Sequence, residues 1–383
     1  MKTVLFVGAG HDGLFAVERG RQLGLRAEVI DVPDESEVRH AAGRHSVDGL
    51  LALSDNRAVA VVAAVAEDLD LPGIGRETAH LMTHKVAMRR RLAERGVAQP
   101  EFAAVRTLQE ARTAAETIGL PAVVKPANSG GRRGLFLLQY PDELEARLHA
   151  ALAESPSDEA IIERYHDGLE LTGLAVVRTG HVVPLALSDR LRPPGSVLGV
   201  GSIHVYPTTL FGDALSQAED VVVRAVHALG LRDGLAFPQL LVSEDGVRVL
   251  GIDARIPDRA LTRLAAHALG LDLVEIALRL ALGESVPDEL VTPGFQRPLA
   301  IQYLTAEPGP LTAGTVRRIG SLEKVLAFPG VVEADIPLAV GQTIDPVRLD
   351  GDRHGYVIAT GETNLEAVER AEAAARLVDV EVW

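Results

Sequence analysis

Four apolar residues, Val4 to Val7, run directly into Gly8, Gly10 and Gly13, and the chain up to about residue 80 keeps repeating a short apolar run followed by a longer amphipathic segment. "TVLFVG", "AEVID", "GLLAL" and "LPGI" have the character of parallel strands, and "GLFAVERGRQLG" and "NRAVAVVAAVAEDL" have the apolar spacing of helices between them. Such alternation constrains the fold strongly, because parallel strands must be joined by crossovers and these are usually helical. The glycine spacing G-x-G-x-x-G has two physical readings. One is a backbone that approaches the pyrophosphate of NAD, with Asp31 as the acid after the second strand. The other is the tight turn that any parallel α/β unit needs after its first strand.

Charge and composition remove several function classes. A net charge of −15 argues against nucleic acid and anionic membranes as partners and favours small molecules. The absence of Cys excludes disulfides, thiolate catalysis and Cys-ligated zinc. The start meets glycine and charge too early for a secretory segment, and "AVAVVAAVA" is too short to span a bilayer, so a cytoplasmic protein is expected. Of the 38 basic residues only Lys2, Lys85, Lys125 and Lys324 are lysine. Where arginine serves as the general cation, a retained lysine hints that a compact ammonium is needed.

The expected architecture is a multidomain α/β chain: a Rossmann-like unit over residues 1–80, a central unit over 81–285, and a C-terminal α/β piece over 286–383. "HKVAMRRRLAERGV" reads as a helix closed by Gly96, "DELEARLHAAL" as another, and "ELTGLAVVRTGHVVPLALSD" as antiparallel β. "LAFPQLLVSEDGVRVLGIDARI" reads as a hairpin turning at its "EDG", a single helix is expected over about 259–283, and "PDELVTPGFQRP" reads as a linker.

"PAVVKPANSGGRRG" is the most informative stretch. A strand delivers Lys125 beside a loop with Ser129, Gly130, Gly131 and Gly134, whose N–H groups could wrap phosphate oxygens while the ammonium answers their charge. It is not a Walker A loop, since the lysine precedes the glycines and a strand follows them. The plainer reading is a glycine-rich hairpin with a solvated lysine. "HLMTH" places His80 and His84 one helical turn apart, but without the glutamate of H-E-x-x-H it is a poor zinc motif.

This order of segments resembles the ATP-grasp superfamily, in which a β-loop-β lid closes over ATP. The resemblance covers nearly the whole chain, and "LTAEPGPLT" with "GDRHGYVIATGET" looks like the branch of L-amino-acid ligases and related carboxylate–amine ligases. It implies an ATP-grasp fold with a lid at about 117–175, and a glycine turn at 8–13 that binds no dinucleotide. It also implies that Lys85 and Lys125 contact nucleotide. By the same resemblance Glu163 lies near the adenine amine, Arg164, Tyr165 and His166 form the backbone hinge, and Glu170 lies near the ribose. Arg255 would face substrate. Arg190 and His204 sit where relatives bring polar groups to the acceptor, although the one could be a surface ion-pair partner and the other a structural loop histidine.

ATP with Mg²⁺, or Mn²⁺ in its place, is the implied cofactor set, with a homodimer as the usual assembly. The family offers the metal a glutamate on one hairpin strand and a Glu-x-Asn pair on the next. Here those positions are Gln239, Gly251 and Asp253, leaving Asp253 and Gln239 as candidate ligands. Two functions stay open: an ATP-dependent ligase joining a carboxylate and an amine through an acyl phosphate, with release of ADP and phosphate, or a nucleotide-binding relative with impaired catalysis that acts as a partner subunit or sensor.

Overall fold

A computed structural model describes residues 1–10, 13–53, 56–192 and 200–383. The N-terminal part contains β1 (Thr3–Val7), α1 (Leu14–Gln22), β2 (Arg26–Ile30), α2 (Glu35–His45), β3 (Gly49–Ala52) and α3 (Asn56–Asp68). The three strands form a parallel sheet in the order β2-β1-β3, and every β1 residue is buried, as befits a central strand covered on both faces. Gly8 has φ +74°, and a Cβ on Gly13 would lie 2.3 Å from the Ala9 carbonyl oxygen, so these glycines are required by the turn itself. Residues 11 and 12 of the motif lie outside the described residues.

Two expectations fail here. "LPGI" forms no strand; the Leu71 N–H instead donates to the Ala66 carbonyl and closes the end of α3. The helix α2 was not anticipated, because only Val38, Ala41 and Ala42 of its eleven residues are buried. The Asp34 side chain caps it, accepting from Glu37 N at 3.0 Å.

The chain continues with α4 (Arg76–Thr83), α5 (Lys85–Glu94), β4 (Phe102–Val105), α6 (Leu108–Ile118), β5 (Ala122–Pro126), β6 (Phe136–Leu138), α7 (Leu144–Ala153) and β7 (Ala160–Arg164). Strands pair antiparallel in the order β4-β7-β5-β6. Val124, Leu138 and Ile162 of this sheet pack on Ala111, Ile118 and Leu148 of α6 and α7. The glycine loop is the turn between β5 and β6, so the helices grip its strands and leave its tip to the cleft.

Next come β8 (Leu169–Arg178), β9 (His181–Leu191), β10 (Ile203–Tyr206), α8 (Gly212–Ala228), β11 (Gly234–Ser243), β12 (Gly246–Asp253), α9 (Arg259–Leu264), α10 (Leu273–Ala281) and β13 (Leu299–Tyr303). The last elements are β14 (Gly314–Ile319), α11 (Glu323–Leu326), β15 (Val331–Asp335), β16 (Thr343–Ile344), β17 (Tyr356–Thr360), α12 (Asn364–Ala375) and β18 (Val380–Val382). Among the described residues the main sheet has eight strands in the order β12-β11-β8-β9-β10-β13-β17-β15. Side-chain alternation buries both faces: Leu171, Ala175 and Val177 of β8 join the core under α8, and Leu174 and Val176 join the one under α9 and α10.

The C-terminal strands β13, β17 and β15 therefore extend the central sheet. The single helix expected over about 259–283 is divided: α9 passes into a π-helical stretch, Ala265–Leu269, Gly270 takes φ +72°, and Asp272 caps α10 through the N–H groups of Val274 and Glu275. Among the described residues no helix is long and apolar enough to cross a membrane.

Candidate active site

A cleft of about 500 Å³ lies between the β5–β7 sheet and the β11–β12 hairpin, with the glycine loop along one rim. Lys85 and Lys125 enter from neighbouring elements, the Lys85 N–H donating to the Ala127 carbonyl just beyond β5 at 2.6 Å. Lys85 is the first residue of α5, and its ammonium donates to the Ser129 carbonyl at 2.6 Å. Burial, and then the charge of Lys125, bring its pKa down to about 7. Lys125 projects from β5 and is buried, with its Nζ 2.7 Å from Glu163 Oε2 on β7. In the antiparallel register Val123 faces Glu163, so Lys125 is two residues along on the same face and reaches Glu163 diagonally. The solvated-hairpin reading of this lysine is thereby set aside.

Arg89 completes the floor. It lies four residues after Lys85 on α5, is 1% exposed, and donates from Nε to Glu163 Oε1 at 2.8 Å and from Nη2 to Oε2 at 3.3 Å. It also donates to the carbonyls of Val249 and Leu250 at 3.0 and 2.9 Å, which fixes β12 just before Gly251 and Asp253. Burial pushes the Glu163 carboxyl up, but Arg89 and Lys125 outweigh it and hold the group at about 2. Lys85, Lys125 and Arg89 thus face Glu163 and Asp253, leaving this end of the cleft with excess positive charge suited to a polyphosphate.

The segment Arg164–His166 lines the cleft and is held from behind, with Arg164 N donating to the Glu101 carbonyl and Tyr165 N to that of Pro121. Glu170, on β8, accepts from Arg190 at 3.4 Å and forms an ion pair with Arg192 at 3.3 Å. In the glycine loop, Gly131 and Gly134 have φ +61° and +67°, and Gly134 sits against Pro126 and Glu154 rather than in the cleft lining. Ser129, Gly130 and Gly131 line the cleft directly.

Gln239 and Gly251 are partners in the β11–β12 register, with Asp253 two residues farther along the same strand. A Cβ on Gly251 would meet nothing within 4 Å. Among the described residues no group of three or more His, Asp or Glu could hold a metal ion. Asp253 and the Gln239 amide oxygen are the donors at these positions, and they would fit a divalent cation only as part of a shell completed by oxygens from a bound ligand. His80 and His84 do not form a zinc site among the described residues; His84 Nδ1 accepts from Ala87 N and so caps α5.

Beyond the metal positions the cleft broadens into a second charged end. Arg255 is held loosely, 3.6 Å from Asp253 and 3.3 Å from the Ile256 carbonyl, and its buried Nε has no partner. Arg353 lies 4.0 Å over the Tyr303 ring. Asp258 caps α9 through Leu261 N at 2.8 Å, and burial raises its carboxyl pKa. This end presents guanidinium groups and carboxylates together: Arg255 is loosely held, and Arg353 is paired with Asp350 and donates to the Gly201 carbonyl.

Arg190 and His204 stand differently from expectation. Neither lines the cleft; they are buried neighbours across the β9–β10 pairing. Arg190 is a buried ion-pair partner, not a surface one, bridging Glu170 and Asp350. His204 belongs to a strand, not a loop, packs edge-on against Tyr303, and has its pKa lowered to about 3 by burial and the charge of Arg353, so it is neutral and supports the wall. Sequence reasoning missed Arg89, Asp258, Asp350 and Arg353. Arg89 was legible only as a residue four after Lys85, and Asp258 only as a helix-capping aspartate before "RALTRL".

Comparison with known proteins agrees with this geometry. Residues 84–289 match the family described as carbamoyl-phosphate synthase L chain, ATP binding domain, and residues 308–382 match L-amino acid ligase C-terminal domain 2. An uncharacterized protein of Sinorhizobium fredii is 27% identical over 84% of this chain, which spans 65% of that protein's length. The formate-dependent phosphoribosylglycinamide formyltransferase of Ignicoccus hospitalis is 27% identical, covering 99% of this chain and 96% of its own. Among solved structures, the L-amino acid ligase from Bacillus licheniformis superposes with a TM-score of 0.85 at 20% identity, over 100% of this chain and 99% of that one. The N5-carboxyaminoimidazole ribonucleotide synthetase from Thermotoga maritima gives 0.76 at 16% identity, with both chains fully covered.

Proposed function

Because this chain belongs to the ATP-grasp family, whose members are ATP-dependent ligases, we propose that it joins a carboxylate to an amine through an acyl phosphate, releasing ADP and phosphate. The observation that carries the reading is one continuous cleft with buried lysines at one end and a loosely held arginine, Arg255, beyond Asp253 at the other. Lys85, Lys125 and the loop N–H groups hold the triphosphate, while Glu163, Arg164 to His166 and Glu170 hold the nucleoside. Asp253, with Gln239, would hold Mg²⁺ carried on ATP, and the ion would offset phosphate charge.

A carboxylate oxygen of the first substrate, oriented by Arg255, attacks the γ-phosphorus as the bond to ADP breaks. The amine nitrogen of the second then attacks the acyl carbon, the C–O bond to phosphate breaks, and a proton leaves the nitrogen. Asp258, with its raised carboxyl pKa, is suited to receive that proton. Mixed guanidinium and carboxylate groups at this end suit amino-acid-like substrates. A cytoplasmic homodimer with units at 1–80, 81–285 and 286–383 belongs to the same proposal.

The second reading, nucleotide binding with impaired catalysis, is favoured by Gln239 and Gly251, which offer no carboxylate. ADP release from ATP and Mg²⁺, screened over pairs of amino acids, separates the two: turnover with any pair supports the ligase, and nucleotide binding without turnover supports the alternative.

A further inference from the structure

Asp350 opens a short 3₁₀ turn, Asp350–Asp352, in the connection from β16 to β17, and its carboxylate gathers three arginines from separate parts of the chain. Arg132 of the glycine loop approaches with Nε 3.2 Å from Oδ2, Arg353 with Nη2 3.1 Å from Oδ1, and Arg190 of β9 with Nη2 3.5 Å from Oδ1. The Asp350 N–H also donates to the Gly131 carbonyl at 3.4 Å. One residue thus holds the glycine loop by both its side chain and its backbone.

The loop bears the mark of that hold. Arg132 has φ +65°, a left-handed conformation that a residue with a Cβ keeps only when its surroundings impose it. Its side chain is 14% exposed although Gly131 and Arg133 on either side are exposed. Asp350 is its only ion-pair partner among the described residues. Nothing else in the loop would turn a long cationic side chain inward.

We infer that Asp350 is a positioning residue, the catch that holds the glycine loop against the cleft and ties it to the acceptor end through Arg353. A substrate carboxylate reaching Arg353 competes with Asp350 for that guanidinium, which leaves more of the Asp350 charge to Arg132. The loop then grips more firmly when an acceptor is present. The link to catalysis rests on the proposed ligase reading, whereas the catch itself is a property of the free chain.

The test is tryptic cleavage after Arg133 in the nucleotide-free protein, followed by mass spectrometry, because cleavage under gentle digestion tracks the open population. Asp350→Asn keeps the side-chain size but removes the charge, and cleavage should become up to about fivefold faster, the scale of one lost, partly exposed ion pair. Arg132→Gln, made from the loop side, should give the same acceleration, and the double variant should be no faster than either single one. Native cleavage rates in both single variants, or accelerations that multiply in the double, overturn the inference. If Asp350→Asn does not fold, Arg132→Gln alone carries the cleavage test, since it alters only a loop side chain. A second readout is dissociation of the fluorescent analogue mant-ADP, expected to be up to about fivefold faster in whichever single variant folds. An unchanged dissociation rate overturns the functional part of the inference. If the native protein binds no mant-ADP, the nucleotide reading fails, while the cleavage result still decides on the catch.

Discussion

Lys125 Nζ lies 2.7 Å from Glu163 Oε2, and Arg89 holds the other side of the same carboxylate. Arg89 shares the Glu163 charge, so the Lys125 ammonium is only partly neutralised and can turn to phosphate. Lys125→Ala should weaken ATP and ADP binding by roughly 10- to 100-fold, the worth of one hydrogen bond from a charged group. The exposed Lys324→Ala should leave it unchanged. Calorimetric titration of both variants, with NAD as a ligand expected not to bind, checks this.

Acid should act through the same pair. The Glu163 carboxyl is held at about 2 in the folded chain against an ordinary 4.5, so its contribution to stability is complete above pH 4.5 and is lost as pH falls toward 2. Glu163→Gln should lower stability at pH 7 by about 3 kcal/mol, because it leaves buried cations without their partner. It should also flatten the decline of stability between pH 4.5 and 2. Urea titrations across that range measure both effects.

Lys85 should make nucleotide binding sensitive to pH near neutrality. In the free chain burial and Lys125 bring its pKa to about 7, and bound phosphate raises it again by favouring the ammonium. Binding above pH 7 therefore takes up a proton, and affinity should fall as pH rises from 7 to 9, by up to about tenfold per unit. Lys85→Arg, which stays charged throughout, should remove the dependence. Calorimetry of ADP binding in buffers of different ionisation enthalpy measures the proton uptake directly.

The metal should bind through the nucleotide. With Asp253 as the carboxylate at the site, Mg²⁺ should bind detectably only when ATP or ADP is present, and Asp253→Asn should abolish most of that nucleotide-linked binding. Gly251 faces open space and lies opposite Gln239, so Gln239→Glu with Gly251→Glu should fit and raise the apparent Mg²⁺ affinity. A Mg²⁺ titration of ADP release in both proteins tests this. Inhibition by the added carboxylates, with turnover of the natural protein already saturated at low Mg²⁺, would place the metal on other residues.

Much of this was legible because local sequence carried it. The apolar runs of β1 and β5 announced buried strands, and Lys85 and Lys125 stood out in a chain that otherwise uses arginine. The same habit hid Arg89 and Arg353: where arginine is the default cation, nothing local marks one that is buried and functional. The helix α2 was hidden because it buries only small and scattered residues. The joining of β13, β17 and β15 to the central sheet depends on pairings between distant strands, such as Ile301 with Ile358, that no single segment encodes. Arg190 and His204 stand apart from expectation for a related reason, since their burial depends on the β9–β10 pairing and on distant partners, Asp350 and Tyr303, that no local stretch encodes.

The central claim is that a carboxylate oxygen attacks the γ-phosphorus of ATP. It is tested most directly by supplying an amino acid labelled with ¹⁸O in its carboxylate, together with an amine partner found to support turnover, ATP and Mg²⁺. The released phosphate is then analysed by mass spectrometry. An acyl phosphate requires one labelled oxygen in each phosphate released, with ADP and amide product formed in equal amounts. Unlabelled phosphate accompanying amide formation, or AMP and pyrophosphate in place of ADP, would contradict it.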